Sequence, residues 1–129
     1  MISHVFVGVR DFAAACRFHD AVLGTLGHER RFHDSTRPWA GWQQPGLARP
    51  LVLIGAPEDG QPATVGNGAM VALLATPRTL VDQAHLAGLA HGGSDAGPPG
   101  LRPRYHAAYY GAYLRDPDGN KIALVCHLP

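Results

Sequence analysis

"YYGAYLRDPDGNKIALVCH", Tyr109 to His127, holds the reading that decides the fold. Asp-Pro-Asp-Gly is turn chemistry, because proline presets one backbone angle and glycine supplies a positive φ that other residues resist. The residues on either side favour strand, so Asp116–Gly119 joins two antiparallel strands into a hairpin. If the strands pair as the turn implies, Tyr113 lies opposite Ala123. Tyr109, Gly111, Arg115, Lys121 and Val125 then share that face. The face is either packing or the wall of a reaction site. From Lys121 to Val125 no side chain is a usual metal ligand or titrates near neutral pH.

Upstream of the hairpin, "AMVALLA" reads as a strand. "TPRTLVDQAHLAGLAHGG" reads as a helix, with Thr76 as its cap, Pro77 in the permitted first position and Gly92–Gly93 as its end. A short strand near Gly93–Ala96 and a Gly/Pro-rich loop lead into the hairpin, completing a βαβββ unit. The beginning of the chain repeats the pattern. In "HVFVGVRD" the alternation of Val5, Val7 and Val9 predicts a strand with one buried face. Asp11 caps a helix with Phe12, Ala15, Cys16, His19, Val22, Leu23 and Leu26 on its core stripe. Gly24 and Gly27 signal its end, and strands follow near Glu29–His33, Pro38–Gln43 and Pro50–Ile54. Laid on each other 66 residues apart, the units put Val9 on Ala75 and Gly27 on Gly93. The predicted fold is α+β: two βαβββ units forming one curved mixed sheet, a cup, with the helices outside. It is a single domain over 1–129, with unit one at 1–54, a turn-rich linker at 55–67 and unit two at 68–129.

Charge and composition remove several classes of function. Eleven Lys and Arg against ten Asp and Glu leave a formal charge of +1, which gives no field to steer toward nucleic acid or an acidic membrane. No apolar run approaches the ~20 residues that span a bilayer. "MISHVFVGVRD" lacks the basic start and cleavage site of a signal peptide. Cys16 and Cys126 stand far apart with no C-x-x-C between them, so a reducing cytoplasm is the expected compartment.

Three segments, "HVFVGVRDFAAACRFHDAVLGTLG", "GNGAMVALLA" and "YYGAYLRDPDGNKIALVCH", resemble in sequence and order the vicinal oxygen chelate superfamily. This is the glyoxalase, bleomycin-resistance and extradiol dioxygenase group. The resemblance covers essentially the whole chain. It implies a cup of paired βαβββ units, dimers in many members, and in the enzymes a divalent ion inside the cup. The implied ligand positions are on the first strand, on the last strand of unit one, and at the matching places of unit two. They fall on His4, on the apolar strand Leu51–Ile54, on Met70 and on Ala123. Thus only His4 carries the usual ligand chemistry, and Ala123 stands where catalytic members have a carboxylate.

The expectation is a family protein with a degenerate metal site that binds a small, partly aromatic or electrophilic molecule in the cup. The expected contacts are His4, Phe6, Trp42, Met70, Arg104, His106, Tyr109, Tyr113 and Arg115. Either Trp39 or Trp42 lines the unit-one half. "PGLRPRYHAAYY" places Arg102, Arg104, Tyr105 and His106 on a rim loop suited to an anionic substrate or to general acid–base work. No cofactor is expected. Two alternatives stand beside this reading. One is a lyase or isomerase of the glyoxalase type using Zn, Ni, Mn or Fe, with His4 among the ligands. The other is a non-catalytic structural or partner-binding dimer. The expected partners are a small molecule and a second copy of the chain, with neither nucleic acid nor membrane.

Overall fold

The computed structural model describes Met1–Pro129. Unit one runs β1 (His4–Gly8), α1 (Phe12–Thr25), β2 (Glu29–Asp34), β3 (Trp39–Gln43) and β4 (Leu51–Gly55). Unit two runs β5 (Val71–Leu74), α2 (Arg78–Ala90), β6 (Ser94–Leu101), β7 (Tyr110–Arg115) and β8 (Lys121–Cys126). Each unit forms its own four-stranded mixed sheet, ordered β1-β4-β3-β2 and β5-β8-β7-β6. The two βαβββ units are internally equivalent. The Val9 amide donates to the Gly55 carbonyl (2.9 Å) as the Ala75 amide does to Val125 (2.8 Å); the donors are the 66 residues apart read from the sequence, and the acceptors are 70 apart.

Period-two alternation divides each sheet into a helix-facing side and an open side. In unit one Val7, Val9, Ala40, Trp42 and Ile54 pack under α1. In unit two Ala112, Leu114, Ile122, Leu124 and Cys126 pack with α2. Helix α1 begins where Asp11 accepts a hydrogen bond from the Ala14 amide (3.1 Å) and stops before Gly27, whose φ of 84° needs a residue without Cβ. Helix α2 starts one residue later than expected. Pro77, not Thr76, occupies the cap position and no side chain caps it. The Gly/Pro-rich stretch after Ala96 is not a loop but the continuation of β6 to Leu101. As the outer strand of its sheet, β6 tolerates Pro98 and Pro99, which lack the amide a central strand needs.

Phe18 falls outside the single stripe expected for α1, yet it is fully buried, because α1 has a second neighbour. Phe18 and Val22 enter the core cluster of unit two. Gly88 of α2 makes the approach possible: a Cβ there would sit 2.5 Å from Leu114 Cδ1 and 3.1 Å from Phe18 Cε2.

The hairpin turn supplies the other bond between units. Asp116 is buried and accepts from the amides of Asp118 (3.0 Å) and Asn120 (2.8 Å), from Asn120 Nδ2 (3.0 Å) and from His19 Nε2 (3.2 Å). Asn120 Nδ2 also donates to the Gly8 carbonyl (3.0 Å), and Asp118 accepts from the Arg10 amide (2.7 Å). Burial raises the Asp116 pKa, but the hydrogen bonds from His19 and then Asn120 outweigh it, so the carboxyl titrates below its usual range.

Two glycine substitutions in helices should have opposite signs. Gly24→Ala meets nothing within 4 Å and should stabilise by about 0.5–1 kcal/mol. Gly88→Ala gains the same propensity but overpacks against Leu114, which costs about 1–3 kcal/mol, so its melting temperature should fall. Thermal unfolding of the two variants checks this, and a stabilised Gly88→Ala would refute the close contact. Asp116→Asn should cost about 2–4 kcal/mol at neutral pH, because Nδ2 cannot accept from His19 or Asn120. A depressed folded pKa means this contribution is present above the unfolded value of about 3.9 and is lost as pH falls through the folded one. Denaturant titrations should therefore show the gap between wild type and Asp116→Asn closing as pH drops below about 4.

Candidate functional site

The register of the last hairpin is as the turn implied, with Tyr113 opposite Ala123 and Gly111 opposite Val125. Tyr113, Ala123 and Val125 form a small buried cluster with Tyr109 packed against it, on the side of the sheet away from α2. Two open cavities lie on these sides of the sheets. The first, about 1040 Å³, is lined by residues of unit one and the linker, among them Phe6, Arg37, Trp39, Glu58 and Asp59. The second, about 400 Å³, belongs to unit two. Met70, Tyr105, Tyr109 and Tyr113 line it, and Arg102, Arg104 and Lys121 supply its charge.

The second cavity is the more specific of the two. Its apolar lining is Met70, Ala96 and three tyrosine rings, with Tyr113 seated on the buried Ala123 and Val125, and its polar groups converge from three elements. Tyr109 and Tyr113 share a hydrogen bond between hydroxyls (3.1 Å). Burial first, then that bond, push the ionisation of Tyr113 well above its usual range, so its hydroxyl stays protonated. The Lys121 ammonium lies 5.2 Å and the Arg102 guanidinium 5.7 Å from the centre of the Tyr113 ring, while Arg104 lies 5.0 Å from Tyr105. These are cation–π distances. β6 closes one wall at Gly97, where a Cβ would come within 2.7 Å of Tyr113 Cδ2.

The expected contact residues divide unevenly. Met70, Arg104, Tyr109 and Tyr113 line the second cavity and Phe6 the first. Trp42 is a correction: it is 2% exposed beneath α1, with its indole N–H donated to Asp20 (2.9 Å). Trp39 is the tryptophan on the open side, one strand position out of phase with Ala40 and Trp42's neighbours. Arg115 turns back to the Gly119 carbonyl (2.9 Å) and lines neither cavity. His106 lies outside both as well, stacked on His127 with Nε2 2.8 Å from its Nδ1. His4 is exposed beside Ser3 Oγ (3.0 Å) and also lines neither. Arg102, Tyr105 and Lys121 complete the second cavity. The signal for them was the density of Arg and Tyr in "LRPRY" and the phase of Lys121 with Ala123.

The four positions where the resemblance implies metal ligands hold no fitting donor set. Phe6 pairs with Leu53 as Ala72 pairs with Ala123, so Leu53 is the unit-one equivalent of Ala123. His4, Leu53, Met70 and Ala123 together offer one imidazole and one thioether. Mg²⁺ and Mn²⁺ need oxygen, and Zn²⁺ and Ni²⁺ need several nitrogen, oxygen or thiolate donors. No group of three or more His, Cys, Asp or Glu side chains is placed to hold an ion.

The geometry agrees with comparison to known proteins. The family model described as Glyoxalase/Bleomycin resistance protein/Dioxygenase superfamily matches residues 1–124. A glyoxalase/bleomycin resistance protein from Albidiferax ferrireducens is 41% identical, with 98% of both chains covered and a TM-score of 0.83. A glyoxalase-related enzyme from Fulvimarina pelagi is 20% identical, with 98% of this chain and 87% of that one covered and a TM-score of 0.73. A lactoylglutathione lyase from Agrobacterium tumefaciens is 18% identical, with 98% and 92% covered and a TM-score of 0.67. These last two likenesses are of fold alone. No curated protein matches the chain. A family match over nearly the whole length, a 41% identical relative and the paired βαβββ sheets make one conclusion: the chain belongs to the glyoxalase/bleomycin resistance protein/dioxygenase superfamily.

Proposed function

We propose that this protein binds a small, partly aromatic or electrophilic molecule in the cavity of unit two, without a divalent metal. The observation that carries the reading is a cavity walled by Met70 and the rings of Tyr105, Tyr109 and Tyr113, with Arg102, Arg104 and Lys121 converging on it. An apolar concavity with a few placed polar groups is the usual form of a small-molecule site. Its chemistry favours binding over proton transfer. Neither Asp, Glu nor His lines the cavity, and Tyr113 holds its proton, so no side chain there is a ready general base.

The working unit of this reading is a cytoplasmic homodimer. Phe6, Met70 and Leu74, all more than 40% exposed, lie at the open sides of β1 and β5, where a second copy can cover them. Both cysteines are free and buried, which suits a reducing compartment.

Purified protein should carry well under one equivalent of Zn, Ni, Mn or Fe, and chelator dialysis should leave ligand binding unchanged. Elemental analysis with a stoichiometric metal would revive a metal-dependent lyase. Screening phenols, aromatic aldehydes and aromatic acids by thermal shift should find stabilising compounds, since a ligand that binds only the native state raises the melting temperature. Tyr113→Phe should then weaken those hits while costing at most about 1 kcal/mol of stability, the worth of one hydrogen bond. Unchanged affinity in a destabilised variant would place Tyr113 in the core and defeat the site.

A further inference from the structure

We propose that the ligand of the unit-two cavity is an organic anion, an aromatic or conjugated carboxylate, held by Arg102, Arg104 and Lys121. The proposal rests on the binding function above and names the class of molecule bound.

The argument begins with charge. Three cationic side chains line one cavity of about 400 Å³, and its lining contains no acidic residue. None of the three is in a salt bridge; the ion pairs of the protein are His19–Asp116, Arg30–Asp20 and His85–Asp95, all elsewhere. Arg102 spends its hydrogen bonds on carbonyls, Pro98 (2.6 Å) and Leu101 (3.4 Å), which orient it without neutralising it. Arg104 bonds the Tyr105 hydroxyl (3.2 Å), again a neutral partner. Lys121 and Arg102 flank the Tyr113 ring, so the positions of their charges are fixed by aromatic contact. Like charges gathered in one concavity repel, and an anion entering it relieves that repulsion.

The second element is the shape of the donors. Guanidinium groups present N–H pairs that match a carboxylate, and such charge-assisted bonds are roughly twice as strong as neutral ones. Tyr113 keeps its proton and so remains a donor as well as an acceptor. The third element is the apolar lining. Tyr105, Tyr109 and Tyr113 present rings and Met70 a thioether, which suit a flat apolar body attached to the anion. The unit-one cavity lacks this bias, because Glu58 and Asp59 line it together with Arg37.

The test pairs acids with neutral isosteres of the same shape. Titration calorimetry at neutral pH and low ionic strength would use benzoate and cinnamate, benzamide and cinnamamide, and inorganic phosphate. Each acid should bind at least about 10-fold more tightly than its amide, and added salt should erode that preference. Lys121→Met keeps a straight stem against the Tyr113 ring, and Arg104→Gln keeps a polar donor. Each should remove most of the preference by weakening the acid far more than the amide, with melting curves confirming the fold. Equal binding of acid and amide, or a preference that survives both substitutions, overturns the anion assignment alone. Tyr113→Phe weakening both members of a pair would then leave the aromatic site standing. Phosphate binding as tightly as cinnamate overturns the requirement for an aromatic body. Failure of every acid and amide to bind overturns this inference and the aromatic-cavity reading together.

Discussion

The structure depends on one buried carboxylate. Asp116 collects four donors in a space closed to water, and they come from both units: the turn itself, Asn120, and His19 on α1. A carboxylate so placed is costly to bury unless its lone pairs are filled, and here they are. Filling them fixes the turn, the turn fixes the β7–β8 register, and the register puts Tyr113 beside Ala123 on the open side. The same turn reaches Gly8 and Arg10 at the end of β1 through Asn120 and Asp118. Unit two is thereby oriented on unit one by polar bonds at the turn, and by Phe18 against Gly88 a little further along α1.

Much of this was legible in the sequence because it depends on local chemistry. The Asp-Pro-Asp-Gly turn, the Asp11 cap and the alternation of Val5, Val7 and Val9 each follow from one residue type doing what its backbone or side chain prefers. The duplication was legible too, since both units repeat the same order of strand, helix and three strands, although the offset grows from 66 residues at the first strands to 70 at the last. The losses lie where a residue has two neighbours or none. Phe18 was unreadable because a helix stripe predicts one buried face, and α1 buries two. β6 was cut short because its prolines are tolerated only at a sheet edge, and edges are a property of the assembled sheet.

The candidate site was legible in its strands and not in its loops. Tyr109 and Tyr113 followed from phase, and so did the apolar character of Ala123. The tryptophans show how narrow that margin is. Trp39 and Trp42 sit three apart on a period-two strand, so one must face α1 and the other the open side. Choosing between them needed the phase of β3 against β4. Arg115 and His106 failed differently. Each can reach a nearer partner, the Gly119 carbonyl and His127, and long polar side chains take the nearest hydrogen bond available.

The residues at the positions implied for metal ligands can be set beside those that line the second cavity. The family resemblance implies a cup that, in the enzymes, gathers anionic and imidazole donors around a divalent cation. Here the corresponding positions are His4, Leu53, Met70 and Ala123, of which only Met70 lines the second cavity, whose charge comes from Arg102, Arg104 and Lys121. On the proposed reading a ligand would again meet positive charge, carried by side chains beside tyrosine rings. What differs is how that charge is distributed. A metal offers open coordination positions and Lewis acidity, whereas guanidinium and ammonium groups offer hydrogen bonds of fixed direction. An ion activates what it binds. On the proposed reading, three distributed cations would hold and orient a ligand through charge and directed hydrogen bonds.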